Sequence, residues 1–257
     1  IGTLDTTATV GRMISNQWEQ VSFTSPFAET PVVLTQIQTT NVGRVGFLKI
    51  RQNSTDADGL SVALEPEESS TGQHAAPETI GYLAIEAGAG TWGTFTYDAG
   101  NVPSVADQFT SHTFGVTNFA SPAFLSSMGS YTGQDNGHVR YINLTGSGVQ
   151  LKIDEDTTVD TEKTHSEETV SYLVLGGQGT LLASVPLVDI GEIGQISDLT
   201  NVPQIVPLLG EYTNPVVFAQ SASGNGGQPV AVRIRNVQAT QFEIYLTEPS
   251  DQDGTHG

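Results

Sequence analysis

LSVALE at 60–65, VQLKID at 149–154 and FEIYLT at 242–247 decide the fold. Leu60, Val62 and Leu64 alternate with Ser61, Ala63 and Glu65. Val149, Leu151 and Ile153 alternate with Gln150, Lys152 and Asp154, and Phe242, Ile244 and Leu246 with Glu243, Tyr245 and Thr247. A side-chain period of two places one set on a core face and the other toward solvent, which is the pattern of a half-buried strand. No stretch sustains a 3.6-residue apolar period over three turns, so the chain reads as all-β.

Working outward, these strands are landmarks of a threefold repeat. PVVLTQ at 31–36 recurs as PAFLSS at 122–127 and PVVFAQ at 215–220, spacings of 91 and 93. FLKIRQN at 47–53 recurs as VRYINL at 139–144 and VRIRNV at 232–237. ETIGYLAIEAG at 78–88 matches ETVSYLVLGG at 168–177, and His74, His165 and His256 fall 91 residues apart. Turn clusters such as TDADG and GQDNG separate the strands. The expectation is three tandem six-stranded antiparallel β-sandwich domains: 1–89, 90–178 and 179–257. Units this long are domains rather than solenoid turns. The third unit has no counterpart of the ETV strand, which is among the most apolar in its siblings. Three explanations are open: a cut from a longer array, proteolytic trimming at an exposed acidic loop, or a strand supplied by another chain.

The 257 residues carry a net charge of −19 because bases are missing: Lys and Arg number 9 against 28 Asp and Glu. Average usage would give roughly three times as many bases. A phosphate-binding surface is therefore excluded, and nucleic acid with it. The longest apolar runs, such as YLAI at 82–85, are far below the roughly 20 residues of a membrane span. The absence of Cys excludes disulfides and thiolate metal sites. The chain starts at Ile1 without a signal peptide, as a mature product or a fragment would.

The run Trp18-x-x-Val21-x-Phe23-x-x-x-Phe27-x-x-x-Pro31-Val32-Val33, with Gly59-Leu60-Ser61-Val62, resembles the H-type lectin domain. The tandem form with the ending His165-Ser166-Glu167-Glu168-Thr169-Val170-Ser171-Tyr172-Leu173 resembles repeats in very large secreted bacterial proteins. The resemblance implies a six-stranded antiparallel sandwich that binds galactose-type sugars, often N-acetylgalactosamine. It also implies an extracellular or cell-surface location and sugar contacts from a His in the final loop. Single-domain members form trimers, so three tandem units either imitate a trimer or line up as beads.

On that basis His74, His165 and His256, with Glu78, Glu168 and Asp253, are the candidate carbohydrate-binding residues; the alternative is a structural bond from each His to a neighbouring turn or Glu. The acidic loops before each His offer oxygens for calcium, from Asp154, Asp156, Asp160, Asp251 and Asp253, although neither TDADG nor SDQDG completes a calcium-loop pattern. A solvated acidic loop is the competing reading. Lys49, Arg51, Arg140, Arg233 and Arg235 share one strand type, placed to pair with the acidic loop or with Glu78 and Glu168. Trp18 and Trp92 lack counterparts and read as sugar-stacking rings or as a seam between units. Gly88-x-Gly90-x-x-Gly93 is not followed by a helix, so it is no dinucleotide loop. No GxSxG or HExxH is present, so the chain reads as non-enzymatic. Two functions follow: multivalent glycan binding, or a structural subunit of a surface filament, sheath or layer that self-associates through the open edge of the third unit.

Overall fold

The computed structural model describes residues 8–10, 18–41, 47–69, 78–92, 95–177, 179–184 and 187–252. Among them there is no helix. The first unit contains β1 (Ala8–Val10), β2 (Glu19–Ser22), β3 (Val32–Ile37), β4 (Lys49–Asn53), β5 (Gly59–Glu65) and β6 (Glu78–Ile85). They form two antiparallel sheets, β1-β6-β3 and β2-β5-β4. The second unit contains β7 (Gly88–Trp92), β8 (Phe95–Val105), β9 (Thr110–Thr113), β10 (Pro122–Met128), β11 (Gly137–Ile142), β12 (Gly148–Glu155) and β13 (Glu168–Gly176). Its sheets, β10-β13-β8-β7 and β11-β12-β9, repeat the first plan with one added edge strand. The third unit contains β14 (Gly179–Ser184), β15 (Leu187–Ile193), β16 (Gln204–Pro207), β17 (Ala231–Gln238) and β18 (Gln241–Thr247). Here β16-β18-β17 repeats the second sheet, and β14-β15 stands as a hairpin.

Each unit has its own core. Val33, Leu48, Leu60, Leu64, Ile80 and Tyr82 lead the first, Phe114, Phe124, Leu151, Val170 and Tyr172 the second, and Ile234, Phe242 and Ile244 the third. The alternation read from β12 is present: Val149, Leu151 and Ile153 are buried. In β5 the opposite face is buried as well, with Ser61 bonded by the Gln20 side chain at 2.5 Å and Ala63 fully covered.

A fourth cluster joins the units. Val32, Leu34, Leu83 and Ile85 of the first pack with Ala99, Leu173 and Leu175 of the second, against Ile193 and Phe218 of the third. This explains why the ETI and ETV strands are the most apolar. In β6, Tyr82 and Ala84 face the sandwich core while Leu83 and Ile85 face the neighbouring units. A strand buried on both faces reads as a continuous apolar run rather than an alternation. Trp92 packs on this shared core, and Trp18 meets Tyr131 edge-on at 5.1 Å across the seam between units one and two.

The three units are arranged in a ring, like a trimer folded from one chain. Thr35 N donates to Ser127 Oγ at 3.1 Å, joining unit one to two. Ser126 N donates to Gln220 Oε1 at 2.7 Å, joining two to three. Gln38 Nε2 donates to Val217 O at 2.8 Å and Val217 N to Gln38 Oε1 at 2.9 Å, closing three onto one.

Candidate functional site

The scarce bases carry the same ring. Arg51, with no exposed side-chain surface, donates from Nη1 to Glu65 of its own unit at 3.0 Å and from Nη2 to Glu168 of the second at 2.9 Å. It also donates to the carbonyls of Gly133 at 3.0 Å and Asp135 at 3.3 Å. Arg140 repeats this one unit on: it pairs with Asp154 of its own unit at 3.0 Å and donates to the carbonyls of Gly226 and Gln228 in the third. Arg233 faces Glu78 of the first unit at 3.6 Å and donates to Thr39 O at 3.3 Å. Arg235 forms a separate, partly exposed pair with Glu243 at 2.7 Å. The equivalent arginines thus reach forward from unit one to two, two to three and three to one.

Two of the residues read as sugar contacts, Glu78 and Glu168, are acceptors in this ring and lie buried. Glu168 accepts from Ser130 Oγ, Thr132 N at 2.8 Å and Gly133 N at 3.0 Å besides Arg51. Glu78 accepts from Thr39 Oγ1 and from Asn41 N at 3.0 Å. His165 is also turned inward: its side chain has no exposed surface, Nδ1 lies 2.5 Å from Glu155 Oε1, and Nε2 lies 3.5 Å from Glu168 Oε1. Burial would lower its pKa, but the neighbouring carboxylates of Glu168 and Glu155 outweigh that and raise it. Burial likewise pushes Glu168 up, and the nearby His165 ring with the bonds from Ser130, Thr132 and Gly133 overcomes it and holds the carboxyl at about 2. Glu65 shares the Arg51 guanidinium and goes the other way: burial raises it to about 7 against the pull of Arg51. His165 and Glu168 therefore act as a clamp inside the protein, and a sugar reaching them would have to displace these bonds. His74, His256 and Asp253 lie outside the described residues.

The acidic loops differ from their reading as solvated. Glu67, Asp154, Glu155, Asp156 and Glu248 are all buried. The reason is that the loops cap one another around the ring. Glu68 N donates to Asp156 Oδ2 at 2.8 Å, Ser250 N to Glu67 Oε2 at 2.8 Å, and Thr157 Oγ1 to Asp251 Oδ2 at 2.9 Å. Among the described residues, the oxygens of the calcium set are engaged by other groups. Asp154 spends its oxygens on Arg140 and on Lys152 at 2.7 Å, and Asp156 on the amides of Glu68 and Thr158. Asp160 is exposed and accepts from Glu162 N at 3.0 Å. A different trio, Asp135, Glu155 and Glu162, has carboxylate oxygens within 4.8 Å of one another.

A pocket of about 130 Å³ lies where the units meet. Three equivalent pairs of segments line it: 34–37 with 48–50, 125–128 with 137–140, and 218–221 with 230–232. Equivalent segments from all three units can share one pocket only on the axis that relates them. Lys49, His138 and Ala231 occupy the same place in the three units, so the repeat breaks its symmetry here. Lys49 Nζ sits 4.1 Å from the centroid of the Phe47 ring. Burial depresses its pKa well below the usual ammonium value, and nearby Arg233 adds to this. His138 is likewise held well below its usual value by burial and by Lys49, so it is neutral, and neither ring nitrogen has a hydrogen-bond partner. Sequence reading placed Lys49 on the right strand but missed His138, whose one signal is a polar residue at the register of Lys49.

An all-β protein of small antiparallel sheets, its polar groups spent on seams between units, is the class these observations define. No family model matches the chain, and no solved structure matches it. The chain is similar to Halomucin of Haloquadratum walsbyi (strain DSM 16790 / HBSQ001), at 29% identity over 218 residues. That stretch is 82% of this chain and 2% of Halomucin.

Proposed function

We propose that this chain is a non-enzymatic structural module of a much larger extracellular or cell-surface protein. The observation that carries the reading is the ring of buried pairs: Arg51 to Glu168, Arg140 to the Gly226 and Gln228 carbonyls, and Arg233 to Glu78. Groups that a binding or catalytic site would offer to a ligand are spent on holding three units together. The likeness to a very large protein, by name a mucin, supports an extracellular setting. A surface short of Lys and Arg keeps copies apart by repulsion, as a crowded outer layer requires. Assembly through the edge of the third unit belongs to the same reading.

An antiserum raised against the folded chain is expected to label intact, unpermeabilised cells of the source organism. Labelling that appears only after lysis would refute the location. Glycan binding, the function the lectin resemblance implies, is the competing reading and lacks an exposed His165 or Glu168. On a glycan array the chain is expected to give no galactose-type signal with or without calcium. A signal abolished by His74→Ala with His256→Ala would reverse that assignment.

A further inference from the structure

Residues 215–220 hold the place in unit three that β3 and β10 hold in units one and two. There, β3 pairs along its whole length with β6, and β10 with β13. Residues 215–220 are half-buried, yet have no strand partner among the described residues. Their outer backbone groups are already used: Val217 exchanges both its N–H and C=O with the Gln38 side chain. In β3 the matching outward groups, Val33 O and Thr35 N, are bonded to Gln52 and Ser127, which leaves the alternate residues to face β6. By the same alternation Val216, Phe218 and Gln220 present their N–H and C=O groups to a strand position that no described residue fills.

The charged end of that position is also built. Around Glu168 stand Ser130, Thr132 N, Gly133 N and Arg51. Ninety-three residues on, the same turn carries Ser223, Asn225 and Gly226. Arg140 lies against it in the pose of Arg51, donating to the carbonyls of Gly226 and Gln228 as Arg51 does to those of Gly133 and Asp135. Arg51 holds two carboxylates from different units, Glu65 and Glu168, whereas the cross-unit carboxylate of Arg140 is missing among the described residues.

We propose that this edge is a docking site for a β-strand of the class Glu-Thr-Val-Ser-Tyr-Leu-Val-Leu-Gly, inserted antiparallel beside residues 215–220. Its glutamate binds Arg140, Ser223 Oγ and the amides of Asn225 and Gly226. Its alternate side chains then continue both the third-unit core, at Val217 and Ala219, and the shared core at Phe218. The occupant is defined by the two strands that fill the same position in the same molecule.

This docking rests on the structural reading and deepens its assembly part. Cell labelling tests location and peptide binding tests docking, so the two fail separately. The probe is a synthetic peptide of residues 166–177 with a solubilising Lys tag and a fluorophore, titrated into the full chain by anisotropy. Hydrogen exchange then locates it. One-to-one binding with new amide protection at 216, 218 and 220 is expected. A peptide with Glu168→Gln should bind at least tenfold more weakly, and wild-type peptide should lose a similar factor on Arg140→Gln protein. Should that variant unfold, Ser223→Ala, on an exposed turn, serves instead with a smaller loss. No binding, protection elsewhere, or equal binding of the Gln peptide overturns the proposal.

Discussion

Replacing Arg51 with Met is expected to remove about 3–5 kcal/mol of stability, because it strands a buried carboxylate. The guanidinium is the shared partner of Glu65 and Glu168, and Glu168 has no exposed side-chain surface. His165 and the amides of Thr132 and Gly133 would remain around Glu168, so the loss is bounded. For a chain of this size it corresponds to a fall in Tm of about 6–20 °C. The double variant Arg51→Met, Glu168→Gln should recover part of the loss, since it removes the orphaned charge. Arg235→Met is the contrast: its pair with Glu243 is exposed by 37% and 21%, and such pairs contribute at most about 1 kcal/mol. Thermal or urea unfolding that gave the two single variants equal losses would contradict the central role of Arg51.

The same cluster sets the pH dependence. Glu65 has a folded value of about 7, above the ordinary 4.5. The folded state therefore holds its proton more tightly, and stability falls as pH rises from about 4.5 to 7. The size is about 3 kcal/mol. Glu68 is raised to about 7 by burial and by Asp156, and acts in the same direction. His165, raised by its carboxylates, contributes stability below its unfolded value that is lost as pH climbs through the folded one. Glu168 is depressed to about 2, so its contribution is present above 4.5 and lost as pH falls toward 2. Tm is expected to be highest near pH 5 and to decline toward both pH 8 and pH 2. Growing net negative charge also lowers stability at high pH, so Glu65→Gln is the diagnostic variant: its decline between pH 5 and 8 should be shallower. A wild-type Tm that rises across that interval would sink the assignment.

The strands and their repetition were legible because both are written in local order. Alternation in VQLKID and the recurrence of PVVLTQ, VRIRNV and ETV need no knowledge of distant neighbours. The pairing of strand arginines with Glu78 and Glu168 was legible too, from the rarity of bases and their shared position. That each arginine reaches into the next unit was not, since the equivalent carboxylates Glu78 and Glu168 look alike from any one of them. The acidic loops misled for a related reason. A run such as Asp154-Glu155-Asp156 reads as solvated, yet its side chains meet a cation and an imidazole from distant parts of their own unit and the Glu68 amide from the first. His165 carries no local sign of facing inward either; Gly133 and Gly137, which leave room for its ring, lie about thirty residues away.

The closure of unit three onto unit one has a consequence for how the chain is made. Gln38 and Val217, which bond to each other, are 179 residues apart in sequence. At ~5–20 residues per second, synthesis of that interval takes roughly 10–35 s. During this time Val32, Leu34, Leu83 and Ile85 wait for Phe218 to arrive. The nascent first unit thus carries an apolar face that the second unit covers in part and that Ile193 and Phe218 of the third complete. Until this seam is sealed, the uncovered part of that face is open to joining the wrong neighbour.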